Sequence, residues 1–171
     1  MDALSRLNGK QFNGYLRIRL PHDLDAVVES IVTAYLDAPA PTRREISETV
    51  TLRAAGVLSA YGERMAAIAV RTQSQQPLRR GLVAMGLAHG RLDDPRDNLY
   101  PLAAVNHSAG LLGTDLLQLI DTMADYLPDP AVTAFRAFAN RAEADKSLRS
   151  MGLGTAGSHA DFRYISASTA G

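Results

Sequence analysis

EISETVTLRAAGVLSAYGERMAAIAVRT, residues 45–72, decides the fold. It contains no proline, and its apolar residues recur three and four positions apart, the spacing of a helix that buries one face. Val50, Val57, Tyr61, Met65 and Ile68 make that face. At about 100° per residue, Arg53, Arg64 and Arg71 fall within about 20° of one another and flank it. Gly56 and Gly62 each weaken a helix interior by up to about 1 kcal/mol relative to alanine, and mark where the long helix would bend or split.

Outward from this stretch the same spacing continues. Thr42 is placed to cap the long helix, with Glu45 at the fourth position of a capping box. Before it, Ala38-Pro39-Ala40-Pro41 breaks the chain. Upstream, Leu24, Val27, Val28, Ile31, Val32, Tyr35 and Leu36 share one face of a helix that Asp23 would cap. Residues 1–22 read as an extended lead-in, where Leu16, Ile18 and Leu20 alternate with arginines in one short strand.

Downstream, Pro77 suits the first turn of a helix running to about His89 and stopped by Gly90. Asp94-Pro95 starts a helix to about Leu112, and Thr114 caps one carrying Leu116, Leu119, Ile120 and Met123. Asp129-Pro130 starts another with Phe135 and Phe138, followed by a short helix over 142–151. Residues 152–171 read as a tail. The two Asp-Pro starts lie about 35 residues apart, close to the period of helix-pair repeats.

The reading is therefore all-α: one helical domain over 23–151, of six or seven helices. An irregular bundle and repeat-like pairs both satisfy it. The strings GERMAAIAVRT, LRRGLVAMGLA, DPRDNLYPLAAVNHSAGLLGTD and SLRSMGLG, with a later DFRY, resemble an uncharacterised all-helical family of bacterial proteins with HEAT-like helical hairpins. The resemblance spans roughly residues 45–164 and rests on packing motifs. It implies a fold and no activity.

Composition narrows the function classes. The 171 residues are 46% hydrophobic and 21% charged, which suits a globular chain. Eighteen basic residues balance 18 acids, so no net field favours nucleic acid or anionic lipid. There is no cysteine for a disulfide, thiolate ligand or thiol nucleophile. The N-terminal residues lack a secretory apolar stretch, and no window reaches the length of a membrane span. A cytoplasmic protein is the expectation, with no cofactor and no metal.

Three motifs suggest chemistry. His22, His89, His107 and His159 show no metal-ligand spacing. Gly152-Leu153-Gly154-Thr155-Ala156-Gly157 has the spacing of a dinucleotide-binding loop, yet a helical pattern precedes it where a strand is required. Gly152 is better read as a helix stop. Asn106-His107-Ser108-Ala109-Gly110 differs at one position from a nucleophile elbow, and Asp121, Asp125 or Asp129 with His159 would complete a triad. An elbow needs a buried strand before Ser108, and the pattern there is helical.

Asn106 shares a helical face with Leu99, Leu102, Ala103 and Gly110, which would bury its amide and oblige it to find partners. It serves there either as a structural link or as a polar anchor for a ligand. Arg53, Arg64 and Arg71 would pair with acids such as Asp93, Asp94, Asp97, Asp121 and Asp125, or receive an anionic partner. Together these readings favour a non-enzymatic helical module that binds another protein, an immunity or antitoxin-like protein being one specific version. The alternative is a small-anion or small-ligand binder using Arg53, Arg64, Arg71 and Asn106. A hydrolase built on Ser108 ranks third.

Overall fold

The chain's central element is a helix with almost no exposed face. In Gln76–His89, Leu78, Leu82, Val83, Ala84, Met85, Leu87 and Ala88 are all buried. A helix apolar all round needs neighbours on every side. The structure, a computed structural model, describes residues 21–92 and 94–152. Within them lie seven α-helices and no strand. These are α1 (Pro21–Asp37), α2 (Ala40–Thr49), α3 (Leu52–Thr72), α4 (Gln76–His89), α5 (Leu99–Leu111), α6 (Leu116–Met123) and α7 (Asp129–Ser150). Short 3-10 turns, Pro95–Asn98 and Ala124–Tyr126, lead into α5 and follow α6. The chain is all-α, as its periodicity predicts. No described helix is long and apolar enough to cross a membrane.

The 45–72 stretch is two helices rather than one. The break falls at Val50-Thr51, and both glycines lie inside α3. Thr51 is extended and its side chain accepts from the Ala54 amide, satisfying one of the donors that a helix start leaves open. The β-branched Thr49-Val50-Thr51 run disfavours helix, and Val50 is buried where the chain turns. Arg53, Arg64 and Arg71 remain on one continuous helix. Thr42 does not cap α2: Pro39 occupies that position, and Thr42 lies within the first turn.

Gly62 and Gly81 explain how closely α3 and α4 pack. A Cβ at Gly81 would stand 3.0 Å from the Met65 Cβ and 3.1 Å from the Gly62 carbonyl oxygen. A Cβ at Gly62 would collide with Met85 Cγ and stand 3.1 Å from the Gly81 carbonyl oxygen. Glycines at the crossing let the two backbones touch, a role that helix propensity alone does not suggest. The buried side of α3 is correspondingly wide. It is made of Ala54, Ala55, Leu58, Tyr61, Met65, Ala66 and Ala69, with Val57 and Ile68 partly buried beside it.

α1 buries Leu24, Val28, Ile31, Val32 and Tyr35, the predicted face, although the helix begins at Pro21 rather than after an Asp23 cap. α6 buries Leu116, Leu119, Ile120 and Met123 as predicted, but its cap is Asp115, whose carboxylate accepts from the Gln118 amide at 2.8 Å. α4 matches its predicted limits.

α7 is one helix where two were expected. Only Ala131, Phe135 and Ala139 are buried along it, so about three turns beyond Ala139 have no buried residue. Its end is shaped by Gly152, at φ 69°, as the reading of Gly152 as a helix stop requires. The two Asp-Pro starts are not equivalent. Asp94 begins a 3-10 turn and Tyr100 is 41% exposed, whereas Asp129 begins α7 directly and Phe135 is fully buried. The strand over 15–20 and the triad's His159 lie outside the described residues.

Candidate ligand-binding cleft

The predicted arginine line divides into three environments. Arg64 Nε donates to both carboxylate oxygens of Asp25, 3.0 Å away, and ties α3 to α1. This partner lies upstream of α3, not among the downstream acids expected from sequence. Asp94 pairs with Arg96, and Asp121 with Arg136. Arg53 is half-buried and Arg71 exposed, and neither makes an ion pair among the described residues.

A second attachment of α1 uses an arginine not singled out from sequence. Arg80 on α4 donates to the Glu29 carboxylate at 3.0 Å, to the Glu29 carbonyl at 3.0 Å and to the Thr33 hydroxyl at 2.8 Å. The buried Tyr61 phenol donates to the same carboxylate. Burial, followed by that hydrogen bond to Glu29, holds the Tyr61 phenol well above its ordinary range, so it stays a donor.

Asn106 is a correction. It is only half-buried, and its side chain makes no hydrogen bond among the described residues. The buried amide is Asn98, 1% exposed, at the junction between the 3-10 turn and α5. It accepts from Ser59 on α3 at 2.6 Å and donates to the Met85 carbonyl at 3.2 Å. The buried side of α5 is Pro101, Leu102, Val105, Ser108 and Ala109. Ser108 is thus a buried residue inside a helix, with helix before and after it. The strand-to-helix turn of a nucleophile elbow is absent at this position.

None of Arg53, Arg64, Arg71 or Asn106 lines the cleft that the described residues form on the surface. That cleft, of about 570 Å³, lies between α2, the end of α4 and the start of α7. Its apolar wall is formed by Leu87, Leu127, Pro128 and Ala131, together with Tyr35. The Tyr35 hydroxyl donates to the Tyr126 carbonyl at 2.5 Å. Burial raises its pKa, opposed by the nearby Arg43.

Three guanidinium groups surround the opening, and none pairs with a carboxylate of the described residues. Arg43 donates to the carbonyls of Ala38 at 2.7 Å and Asp125 at 3.3 Å, and lies 4.8 Å over the Tyr126 ring. Arg91 donates to the Glu48 carbonyl at 3.1 Å. Arg44 is exposed and makes no side-chain bond among the described residues. Glu48, Asp125 and Asp129, all exposed, also line the cleft. Opposite charges therefore share one cavity without closing into ion pairs.

His89 completes the wall. Its ring meets Phe135 edge-on, with centroids 5.6 Å apart. Its Nδ1 is buried without a hydrogen-bond partner among the described residues, a condition shared only with Arg79 Nε. Burial lowers the His89 pKa from its ordinary value, so the ring is neutral near neutral pH. A buried donor without a partner is rarer than an under-used acceptor, so the neutral ring best carries its proton on Nε2.

Sequence reasoning missed this site because it is assembled from four separated segments. Its only local signal is the Arg43-Arg44 pair, a common surface feature.

No protein-family model, curated protein or solved structure matches the chain. The resemblance carried by its packing motifs gains no support from these comparisons.

Proposed function

We propose that this protein acts by binding a small polar ligand in the cleft between α2, α4 and α7. The observation that carries the reading is a cavity of about 570 Å³ ringed by Arg43, Arg44 and Arg91, none of them paired with a described carboxylate. Ligand pockets commonly fall within about 300–1,000 Å³ and combine an apolar wall with a few convergent polar groups. Leu87, Leu127 and Ala131 supply such a wall, and the guanidiniums and His89 supply the polar groups. Arg64, Arg80, Arg96 and Arg136 each pair with a carboxylate, whereas the three arginines gathered at the cleft do not.

The test is a fragment screen by NMR on the labelled protein, repeated on an Arg44→Ala, Arg91→Ala double variant. Hits should shift the resonances of Leu87, His89 and Ala131 and weaken in the variant. A screen in which no fragment perturbs these residues would remove the reading.

A helical protein–protein interaction module is the second reading, favoured by the outer half of α7. No residue beyond Ala139 is buried, while Leu148 is 41% and Met151 64% exposed. Exposed apolar side chains on a projecting helix suit docking into a partner groove. Affinity capture with the intact protein and a Leu148→Glu variant separates the readings: a partner lost with the variant supports this one, and the same captured set from both rejects it.

A further inference from the structure

The cleft's charges specify more than a polar ligand. Arg44 lies on α2 and Arg91 just past α4, while Asp125 and Asp129 flank the start of α7. All four line one cavity, and neither side-chain carboxylate lies within ion-pair reach of either guanidinium. Arg43 meets the Asp125 carbonyl and Arg91 the Glu48 carbonyl, so groups of both signs neighbour one another through backbone while their carboxylates stay unpaired among the described residues. A ligand of a single charge would satisfy one set and be repelled by the other. A ligand of both charges satisfies both, and the apolar residues of the same lining take an apolar body.

We infer that the cleft takes a small zwitterion of the apolar amino-acid class, its carboxylate toward Arg44 and Arg91 and its ammonium toward Asp125 and Asp129. This rests on the reading of the cleft as a ligand site. Guanidinium suits the carboxylate because its planar fork can donate two parallel hydrogen bonds. The ammonium is a compact donor that two flexible carboxylates can follow. Leu87, Leu127 and Ala131 accept the side chain. His89, neutral and donating through Nε2, adds no charge that would upset the balance.

Leucine, isocaproate and isopentylamine separate the contributions: the second lacks the ammonium of leucine and the third its carboxylate. Each is titrated into the full-length labelled protein while the cleft resonances are followed, with phenylalanine and methionine as further zwitterions. The expected result is that at least one zwitterion shifts Leu87, His89 and Ala131. Its single-charge analogues bind about tenfold or more weakly, a difference of about 1.4 kcal/mol. Arg44→Ala and Asp129→Asn, both at exposed positions, should each weaken the zwitterion, with unchanged thermal melting showing that the fold is intact.

If isocaproate or isopentylamine binds as tightly as leucine, the zwitterion inference is overturned while the cleft still stands as a ligand site. If no zwitterion moves the cleft resonances, the inference also fails. Failure of the fragment screen as well removes the ligand-site reading.

Discussion

The Ser59 hydroxyl donates to Asn98 Oδ1 over 2.6 Å inside the core, while the same amide donates to the Met85 carbonyl. Three elements, α3, α4 and the start of α5, are thereby joined through one side chain. Replacing Asn98 with leucine leaves the Ser59 hydroxyl only the Asp97 carbonyl at 3.5 Å, and a poorly satisfied buried group costs about 1–3 kcal/mol. Ser59→Ala strands only Oδ1 and should cost less. Because the two share a bond, urea denaturation of the double variant should show a loss smaller than the sum of the single losses. Strict additivity would show that the bond contributes nothing.

Three glycines with the same helix propensity should respond differently to alanine. Nothing lies within 4 Å of a Cβ placed on Gly56, so Gly56→Ala should stabilise the protein by about 0.4–1 kcal/mol. At Gly81 the new methyl meets Met65 Cβ and the Gly62 backbone. That substitution should destabilise by about 1–3 kcal/mol, the cost of overpacking. Gly62→Ala should destabilise at least as much, because its methyl meets the fully buried Met85 side chain and the Gly81 carbonyl oxygen. Thermal melts of the three variants give the ranking.

The arginines should rank by partner rather than by position along α3. Arg80→Ala removes three hydrogen bonds and leaves the Tyr61–Glu29 pair without its cation. A loss of about 1–3 kcal/mol is expected. Arg53→Ala and Arg71→Ala should each stay within about 0.5 kcal/mol of the parent. Denaturant midpoints that place Arg71→Ala beside Arg80→Ala would contradict this ranking.

His89 gives the protein an acid-sensitive element. Its folded pKa lies below the ordinary 6.5 because burial disfavours the charged ring. The unfolded chain therefore binds the proton first, and stability contributed by the neutral ring is fully present above about 6.5. It is lost as pH falls from there through the folded value. The charged groups lining the same cleft are Arg43, Arg44, Arg91, Glu48, Asp125 and Asp129. Melting temperature should drop on acidification across this window. The drop should be shallower in His89→Phe, which keeps an aromatic ring against Phe135. An identical slope in both proteins would exclude His89 as the source.

The fold was legible where single residues impose local geometry. Pro77 and Asp129-Pro130 act on their own backbone, and the starts of α4 and α7 follow from them, whereas Gly90 ends α4 at φ −77°, a conformation open to any residue. The face of α5 was not legible, because Leu99, Pro101, Leu102, Ala103, Ala104 and Val105 leave it no polar side to set the phase. That is why the buried amide is Asn98 and not Asn106. The join of α7 was missed because its second half lacks the buried residues by which a helix is recognised. The cleft was invisible for a different reason: Arg44, His89 and Asp129 become neighbours only through tertiary packing.

The seat of α1 has a consequence for the order in which the molecule assembles. Asp25 and Glu29 are received by Tyr61 and Arg64 on α3 and by Arg80 on α4. Those receptors come together only when α3 has folded back on α4, a closure spanning few residues and hence of low entropic cost. The α3–α4 hairpin is thus the complete template, and α1, which finds only Tyr61 and Arg64 on α3 alone, is expected to dock after it. Pulse-labelled hydrogen exchange should protect the amides of Leu58 and Leu82 before those of Val28 and Ile31. Early protection of α1 would reverse that order.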